Sequence, residues 1–259
     1  RYLDLDCLVV LGGNGSQKSA NMLSEEGLNV VSLPKTIDND LWGTDMTFGF
    51  QSAVDIATNA IDCIHTTAAS HDRVFIVELM GHKVGWVTLH AGIAGGADVI
   101  LIPEIPYNLN HVIEAIRRRS EQGKGFTILA VAEGAISKED AKLSKKKYKE
   151  KLANRQYSTV GYELAAQIEA ATGQEVRVTI PGHTQRGGSP VPFDRVISSR
   201  LGAAAAELIH EEKYGRMVVM KGYEVSPIPL KDTAGKLKYV SADDQIIKQA
   251  KILGISFGD

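Results

Sequence analysis

Short apolar runs that end in glycine- or proline-rich loops alternate with stretches of helical period along this chain, and that alternation restricts it to layered β/α architecture. Cys7–Leu11 (CLVVL) is the first run. It is continuously apolar, the pattern of a parallel strand buried on both faces, and Gly12-Gly13 ends it. Ser16 then caps a helix reaching about Glu26, with Gly27 just past its end. Asn29–Leu33 is the next strand, closed by Pro34. Further strands are expected at Arg73–Met80, Asp98–Pro103, Phe126–Ala132, Val176–Ile180 and Arg216–Lys221. Helices are expected at Thr47–Thr66, Lys83–Ala94, Asn110–Gln122, Ser158–Thr172, Asp194–Tyr214 and Ala242–Leu253. A length of 259 residues fits two modest domains or one large α/β unit.

Composition enters as a set of exclusions. With 44% hydrophobic and 23% charged residues, disorder and collagen-like repeats are ruled out. A net charge of −2 offers no basic field for nucleic acid. No apolar run approaches the roughly 20 residues of a membrane helix, and no signal peptide is visible, so a cytoplasmic protein without membrane or nucleic-acid partners is expected. Cys7 and Cys63 form no CxxC pair, which fits a reducing compartment. Ser137–Lys151 holds seven lysines against three acids and reads as a solvated helical insertion. Arg117-Arg118-Arg119 is explained by the dipole of a helix C-terminus. His65, His71, His90, His111 and His210 show no ligand spacing, so no zinc site is assigned. No GxSxG or Cys/His constellation supports a nucleophilic hydrolase.

The chemistry-bearing residues gather in loops that follow strands. In the first unit, GGNGS follows one strand and PKTIDND the next. Glycines after a parallel strand let backbone N–H groups approach phosphate, and the following helix N-terminus favours the anion. A strand-to-helix turn also needs glycine for its own sake, so the second loop sharpens the reading. A right-handed crossover makes the two strands parallel, and both loops then emerge at one carboxyl edge. Asn14 and Ser16 should face Asp38, Asn39 and Asp40. Two carboxylates two residues apart beside such a loop suit one general base and one magnesium contact, with a hydrogen-bonded Asx turn as the plain alternative for TIDND.

A second group comprises Met80-Gly81-His82, Glu133-Gly134 and PGHTQRGGSP. His183, Arg186 and Arg177 around a glycine-rich turn suggest a phosphate-ester site. Arg73 opens its strand, where a surface salt bridge is the plain alternative.

The motifs GGNGS, PKTIDNDLWGTDMTFGF, SHDR…ELMGH, AGIAGGAD, PEIP and PGHTQRGGSPVPFDR occur in the order and spacing of the 6-phosphofructokinases. The chain resembles that family from about Asp6 to about Gly222. The resemblance implies an α/β fold of two parallel-sheet, three-layer domains. The expected donor domain is 1–49 plus 185–235, and the sugar-phosphate domain 50–184 plus 236–259. It implies phosphoryl transfer from ATP to the 1-hydroxyl of fructose 6-phosphate. A pyrophosphate-dependent phosphotransferase and a non-catalytic sugar-phosphate-binding paralogue stand as alternatives.

Residue by residue, Asp38 aligns with the general base, Asp40 with a magnesium-associated carboxylate and Thr36 with a contact to the transferred phosphoryl group. Gly13, Asn14, Gly15, Ser16 and Lys35 fall in the donor site, and Asp40 with Asn14 would hold Mg2+. Met80, Gly81 and Glu133 align with sugar contacts, and His183 and Arg186 with contacts to the sugar phosphate. Arg73 and Arg177 align with arginines that reach the 6-phosphate from a neighbouring subunit, implying a homo-oligomer, a tetramer or a dimer.

Three departures stand out. Asn14 replaces the usual magnesium-binding Asp, and His82 replaces an Arg that stabilises the transferred phosphoryl group. The family's GGDxPGxN loop and its strand do not occur ahead of Arg1, so the opening Arg1-Tyr2-Leu3 reads as an excision from a longer protein. On donor choice the signals conflict: pyrophosphate users usually carry Asp at the Gly15 position, but also Lys at the Lys35 position, as here.

Overall fold

All six residues of the run Val74–Leu79 are buried, and so are all six of Thr127–Ala132. Only a strand covered on both faces buries every side chain, because successive residues point to opposite sides of the sheet. A computed structural model describes residues 4–68, 70 and 73–259; the opening tripeptide, His71 and Asp72 of the SHDR motif lie outside the described residues.

In chain order the elements are β1 (Leu8–Gly12), α1 (Asn14–Glu25), β2 (Val30–Thr36), β3 (Phe48–Gly49) and α2 (Phe50–Ala68). Next come β4 (Val74–Leu79), α3 (Trp86–Ala94), β5 (Val99–Leu101), α4 (Leu109–Glu121) and β6 (Thr127–Ala132). Then follow α5 (Lys138–Ala141), α6 (Lys145–Ala153), α7 (Val160–Thr172), β7 (Val176–Thr179) and a 3-10 turn at Gly182–Arg186. The chain closes with α8 (Pro192–His210), β8 (Arg216–Lys221), β9 (Glu224–Pro229), α9 (Leu230–Thr233) and α10 (Gln245–Ile252).

These elements divide into two compact units, Arg1–Ala53 with Gly188–Lys238, and Val54–Gly187 with Tyr239–Asp259. The first holds a sheet of order β1-β2-β8-β9, with β3 added to the end of β2. β1 and β2 run parallel from Leu8↔Val30 to Gly12↔Pro34, as the crossover argument requires, but β1 is not buried on both faces as its apolar run suggests: it ends the described sheet order, and Val9 and Leu11 are exposed. On one face Val31, Leu33, Val218 and Met220 pack against Ile197, Leu201, Ala205 and Leu208 of α8. On the other, Val30, Met217 and Val219 meet Ala20 of α1, with Leu41 and Leu230. Each buried Val, Leu, Ile or Met among them stabilises the unit by about 1.5–3 kcal/mol.

The second unit holds a parallel sheet of order β5-β6-β4-β7. Val112, Ala115 and Ile116 of α4 and Leu164 and Ile168 of α7 cover one face. α3 covers the other so closely that a Cβ at Gly92 would lie 2.8 Å from Ile100 and 3.1 Å from Ala130.

Several expectations are corrected. β2 does not stop at Pro34 but runs through it to Thr36; proline already has the extended φ, and the strand forfeits one donor at the end of its register with β1. α1 begins at Asn14 with Gly13 as its cap, and Ser16 lies in the first turn with its side chain folded against Gly12, where a Cβ would collide with it. Gly27 has φ +91, the left-handed exit the sequence suggests. Thr47 and Phe48 precede α2 in extended chain, and α8 ends at His210. Ser137–Lys151 is two short helices rather than one; Ser137 and Ser144 cap them, and Lys151 turns back to pair with Asp140 at 2.7 Å. β9 runs antiparallel to β8 and is absent from the sequence reading.

One buried carboxylate ties the first unit together. Asp194, 3% exposed in the first turn of α8, accepts from the Ser52 N–H at 2.8 Å and the Ser52 hydroxyl at 2.6 Å. Asp194→Ala leaves both donors without their acceptor and is expected to lower unfolding stability by roughly 2–4 kcal/mol, measured by chemical denaturation. An unchanged midpoint would show that the pair contributes nothing.

Candidate active site

The first unit presents its chemistry at the carboxyl ends of β1 and β2. Backbone N–H groups in the first turn of a helix lack intrahelical partners, and the first such bond of α1 is Gln17 N–H to Gly13 O at 3.0 Å. The N–H groups of Asn14, Gly15 and Ser16 therefore stand at the positive end of the helix dipole. Buried Gln17 locks this turn to the sheet by donating to the carbonyls of Gly12 (2.9 Å) and Leu33 (3.2 Å) and accepting from the Ser32 hydroxyl. Gly13 lies against Thr36: a Cβ there would sit 3.4 Å from the Thr36 Cβ. A Cβ at Gly15 would meet nothing within 4 Å.

The next loop is built on Thr36 and Asn39. The Asp38 N–H donates to the Thr36 hydroxyl at 3.2 Å, and the Thr47 hydroxyl donates to the Thr36 carbonyl at 2.8 Å. Asn39 adopts φ +52, a left-handed conformation that Asn tolerates better than most side chains. Its amide turns inward, donating to the Asp45 carbonyl at 3.3 Å and accepting from the Thr47 N–H at 3.0 Å. The Asn39 side chain, expected from the sequence to face the glycine turn, points instead into its own loop; at 3% exposure it is the loop's internal brace. Asp38 is half-buried and Asp40 is 5% exposed. Lys35 is exposed at the end of β2.

Lys238 is a residue that sequence reasoning passes over. Its ammonium donates to the carbonyls of Thr44 (2.9 Å) and Asp45 (2.8 Å). Burial pulls its pKa down to about 8, against the opposing charges of Asp45 and Asp40. Among the described residues no cluster of three or more His, Cys, Asp or Glu could hold a metal by itself. The donor set still suits a magnesium ion carried largely by polyphosphate, which needs only one or two protein oxygens. The Asn14 Oδ1 is buried with no hydrogen-bond partner, and Asp40 supplies a carboxylate at the same sheet edge.

In the second unit β4 lies between β6 and β7, so the loops after these three strands are neighbours. Two side chains hold the Met80-Gly81-His82 backbone. Gln185, 1% exposed in the 3-10 turn, accepts from the Met80 N–H at 3.0 Å. Glu133 accepts from the N–H groups of Gly81 (3.3 Å) and His82 (2.7 Å) through a single oxygen. His82 is exposed with φ +55, and its carbonyl approaches Gly134 so closely that a Cβ there would lie 2.5 Å away. That contact is why glycine follows Glu133. His183 and Arg186 are exposed on the turn after β7.

Arg73 and Arg177 do not join this group. Arg73 precedes β4 at the opposite edge of the sheet, and both arginines pair with Glu175. The expected convergence of Arg177 with His183 and Arg186 is corrected accordingly: at the start of a strand, Arg177 takes the nearest carboxylate. Sequence alone gives no cue to Glu175, since an acid before a strand is commonplace. Gln185 is equally silent, being one polar residue inside a polar turn.

Comparison with known proteins places this geometry. The profile of a family described as Phosphofructokinase matches residues 1–209. An ATP-dependent 6-phosphofructokinase of Spirochaeta thermophila is 55% identical over 257 residues, covering 99% of this chain and 70% of the relative. ATP-dependent 6-phosphofructokinase 3 of Bacteroides thetaiotaomicron is 49% identical, covering 99% of this chain and 71% of the relative. The chain thus spans about seven-tenths of these relatives' length. Phosphofructokinase from Pichia pastoris, solved in the T-state, superposes with a TM-score of 0.74 at 32% identity, over 90% of this chain and 27% of that one. A pyrophosphate-dependent phosphofructokinase from Nitrosospira multiformis superposes at 0.80 over 100% of this chain and 69% of that one, but at 19% identity it speaks for the fold alone. Ordered motifs, sheet topology and identity over nearly the whole chain agree: the chain belongs to the phosphofructokinase family.

Proposed function

We propose that this protein transfers the γ-phosphoryl group of ATP to the 1-hydroxyl of fructose 6-phosphate, yielding fructose 1,6-bisphosphate and ADP. The observation that carries the reading is the pairing of two loops at one sheet edge, a glycine turn opening α1 and the Thr36–Asp40 segment after β2. The relatives named ATP-dependent 6-phosphofructokinase, at 55% and 49% identity, bring ATP as the donor. The chain acts in the cytoplasm; among the described residues no helix is long and apolar enough to cross a membrane.

Phosphoryl transfer asks a protein mainly to position reactants and to offset charge. The N–H groups at the start of α1 and the Lys35 ammonium receive the polyphosphate. Asp40 and the Asn14 amide oxygen hold Mg2+, which when bound neutralises charge on the phosphate oxygens. The Thr36 hydroxyl accepts from the Asp38 N–H, so its own proton is left to donate to a phosphoryl oxygen. Asp38 takes the proton of the 1-hydroxyl as that oxygen bonds to phosphorus and the bond to ADP breaks.

On the sugar side Glu133 commits one oxygen to the Gly81 and His82 backbone and offers the other to a sugar hydroxyl. Met80 and Gly81 line the sugar, and His82 contributes an imidazole where the family's usual Arg would place a permanent charge. His183 and Arg186 take the 6-phosphate. Arg73 and Arg177 exchange Glu175 for the 6-phosphate bound to a neighbouring subunit, which makes the working form a dimer or tetramer. Lys35, which pyrophosphate users also carry, attracts either polyphosphate and so does not by itself select the donor. Retention of Thr36, Asp38 and Asp40 speaks against a non-catalytic paralogue.

A coupled assay of fructose 1,6-bisphosphate formation tests the reading, and Arg177 tests its sugar half. Arg177→Ala should raise the fructose 6-phosphate KM by roughly 10- to 100-fold, the worth of a charge-assisted hydrogen bond of about 1.5–3 kcal/mol. The ATP KM should stay within about twofold. Parallel rises in both would make Arg177 a structural residue.

A further inference from the structure

The segment between β2 and β3 carries Asp38 and Asp40, the two carboxylates assigned to the reaction, yet it has no regular secondary structure to hold it. Beside bonds from Met220, Gly222 and Thr233 to Thr44, Asp45 and Trp42, three hydrogen bonds from the single residue Lys238 converge on it. The Lys238 backbone N–H donates to the Asp40 carbonyl at 2.8 Å. The Lys238 ammonium reaches past it to the carbonyls of Thr44 and Asp45, at 2.9 and 2.8 Å. Leu237 forms an isolated antiparallel bridge with Leu41. Lys238 thus grips the stretch from Asp40 to Asp45 at both ends.

The Asp45 carbonyl is shared. It accepts from the Lys238 ammonium and also from the amide of Asn39, the residue between Asp38 and Asp40. The other end of that amide accepts from the Thr47 N–H, so Asn39 and Lys238 are linked through one oxygen atom. Ammonium-to-carbonyl bonds are charge-assisted and stronger than neutral ones, and the compact ammonium can serve two carbonyls at once.

We infer that Lys238 is a positioning residue for the catalytic loop: it clasps the Asp40–Asp45 stretch and, through the carbonyl shared with Asn39, sets where Asp38 and Asp40 stand. The inference rests on the phosphofructokinase reading for its effect on turnover, but not for its effect on the loop. Misplacing a reacting group by about an ångström costs roughly 100-fold in rate. Lys238→Met should therefore lower kcat by about 10- to 100-fold and leave the fructose 6-phosphate KM within about twofold. Lys238→Arg should restore most of that loss.

Hydrogen–deuterium exchange supplies the readout that needs no turnover. In Lys238→Met the amides of residues 37–47 should exchange at least about tenfold faster, with the strands of both units unchanged. Asn39→Ala should expose the same stretch, and the double variant should be no worse than the more severe single one, because both act on one carbonyl. Wild-type exchange over 37–47 in Lys238→Met would overturn the inference. So would faster exchange spread evenly over β1, β2 and β8, the mark of a merely structural residue, or wild-type kcat alongside an exposed loop. A protein that phosphorylates no sugar yet loses loop protection in Lys238→Met would defeat the functional reading and leave the clasp standing.

Discussion

Asp38→Asn should lower kcat by roughly 10²–10⁴-fold, the usual contribution of a general base. The substitution keeps the shape of the side chain, and the Asp38 backbone N–H still has the Thr36 hydroxyl as acceptor. The brace formed by Asn39, Thr47 and the Asp45 carbonyl lies on the other side of the residue and is untouched. What disappears is the only group of the loop assigned to take a proton, so both KM values should stay within about twofold. Steady-state kinetics at saturating donor measure this directly. A variant retaining more than half of wild-type kcat would remove Asp38 from the role.

Gly15→Asp should cost ATP-dependent turnover roughly 10²–10³-fold in kcat/KM. The position stands in the first turn of α1, where a Cβ would meet nothing within 4 Å, so the backbone has room for a side chain. The penalty is therefore paid in binding and not in stability. A carboxylate about 4 Å from a phosphate group repels it by about 4 kcal/mol at an effective dielectric near 20. The side chain also takes up space that Gly15 leaves for a nucleotide. Lys35, by contrast, attracts either polyphosphate and does not discriminate. Thermal unfolding should be unchanged while kcat/KM for ATP collapses; equal ATP kinetics in the two proteins would show that donor choice is made elsewhere.

The parallel strands are legible in the sequence because burial on both faces forces continuous apolar runs, and Val74–Leu79 and Thr127–Ala132 have them. β9 escapes because it carries Pro227 and Pro229 and buries none of its residues fully, features tolerated where a strand borders the sheet. Helix ends drift by a few residues for local reasons, as where Ser16 bends toward Gly12 and leaves the cap to Gly13. The loops after β1, β2, β4, β6 and β7 are readable because glycine and charge concentrate there. The residues that hold those loops are not. Gln185 reaches Met80 across 105 positions of chain, and Lys238 reaches Asp45 across 193. No local pattern records a partner so distant. Asn39 reads as one more polar residue between two aspartates until its left-handed backbone and inward amide are seen.

The central claim is that this chain's donor half works on ATP and its sugar half on fructose 6-phosphate. Phosphorus NMR of the purified protein with fructose 6-phosphate, Mg2+ and either ATP or pyrophosphate tests it most directly, since each phosphate is followed by its own signal. The account predicts ADP and a new sugar phosphate at carbon 1 growing together, at a rate well above that with pyrophosphate. Faster turnover with pyrophosphate, or ATP consumed without a carbon-1 phosphate, would contradict it.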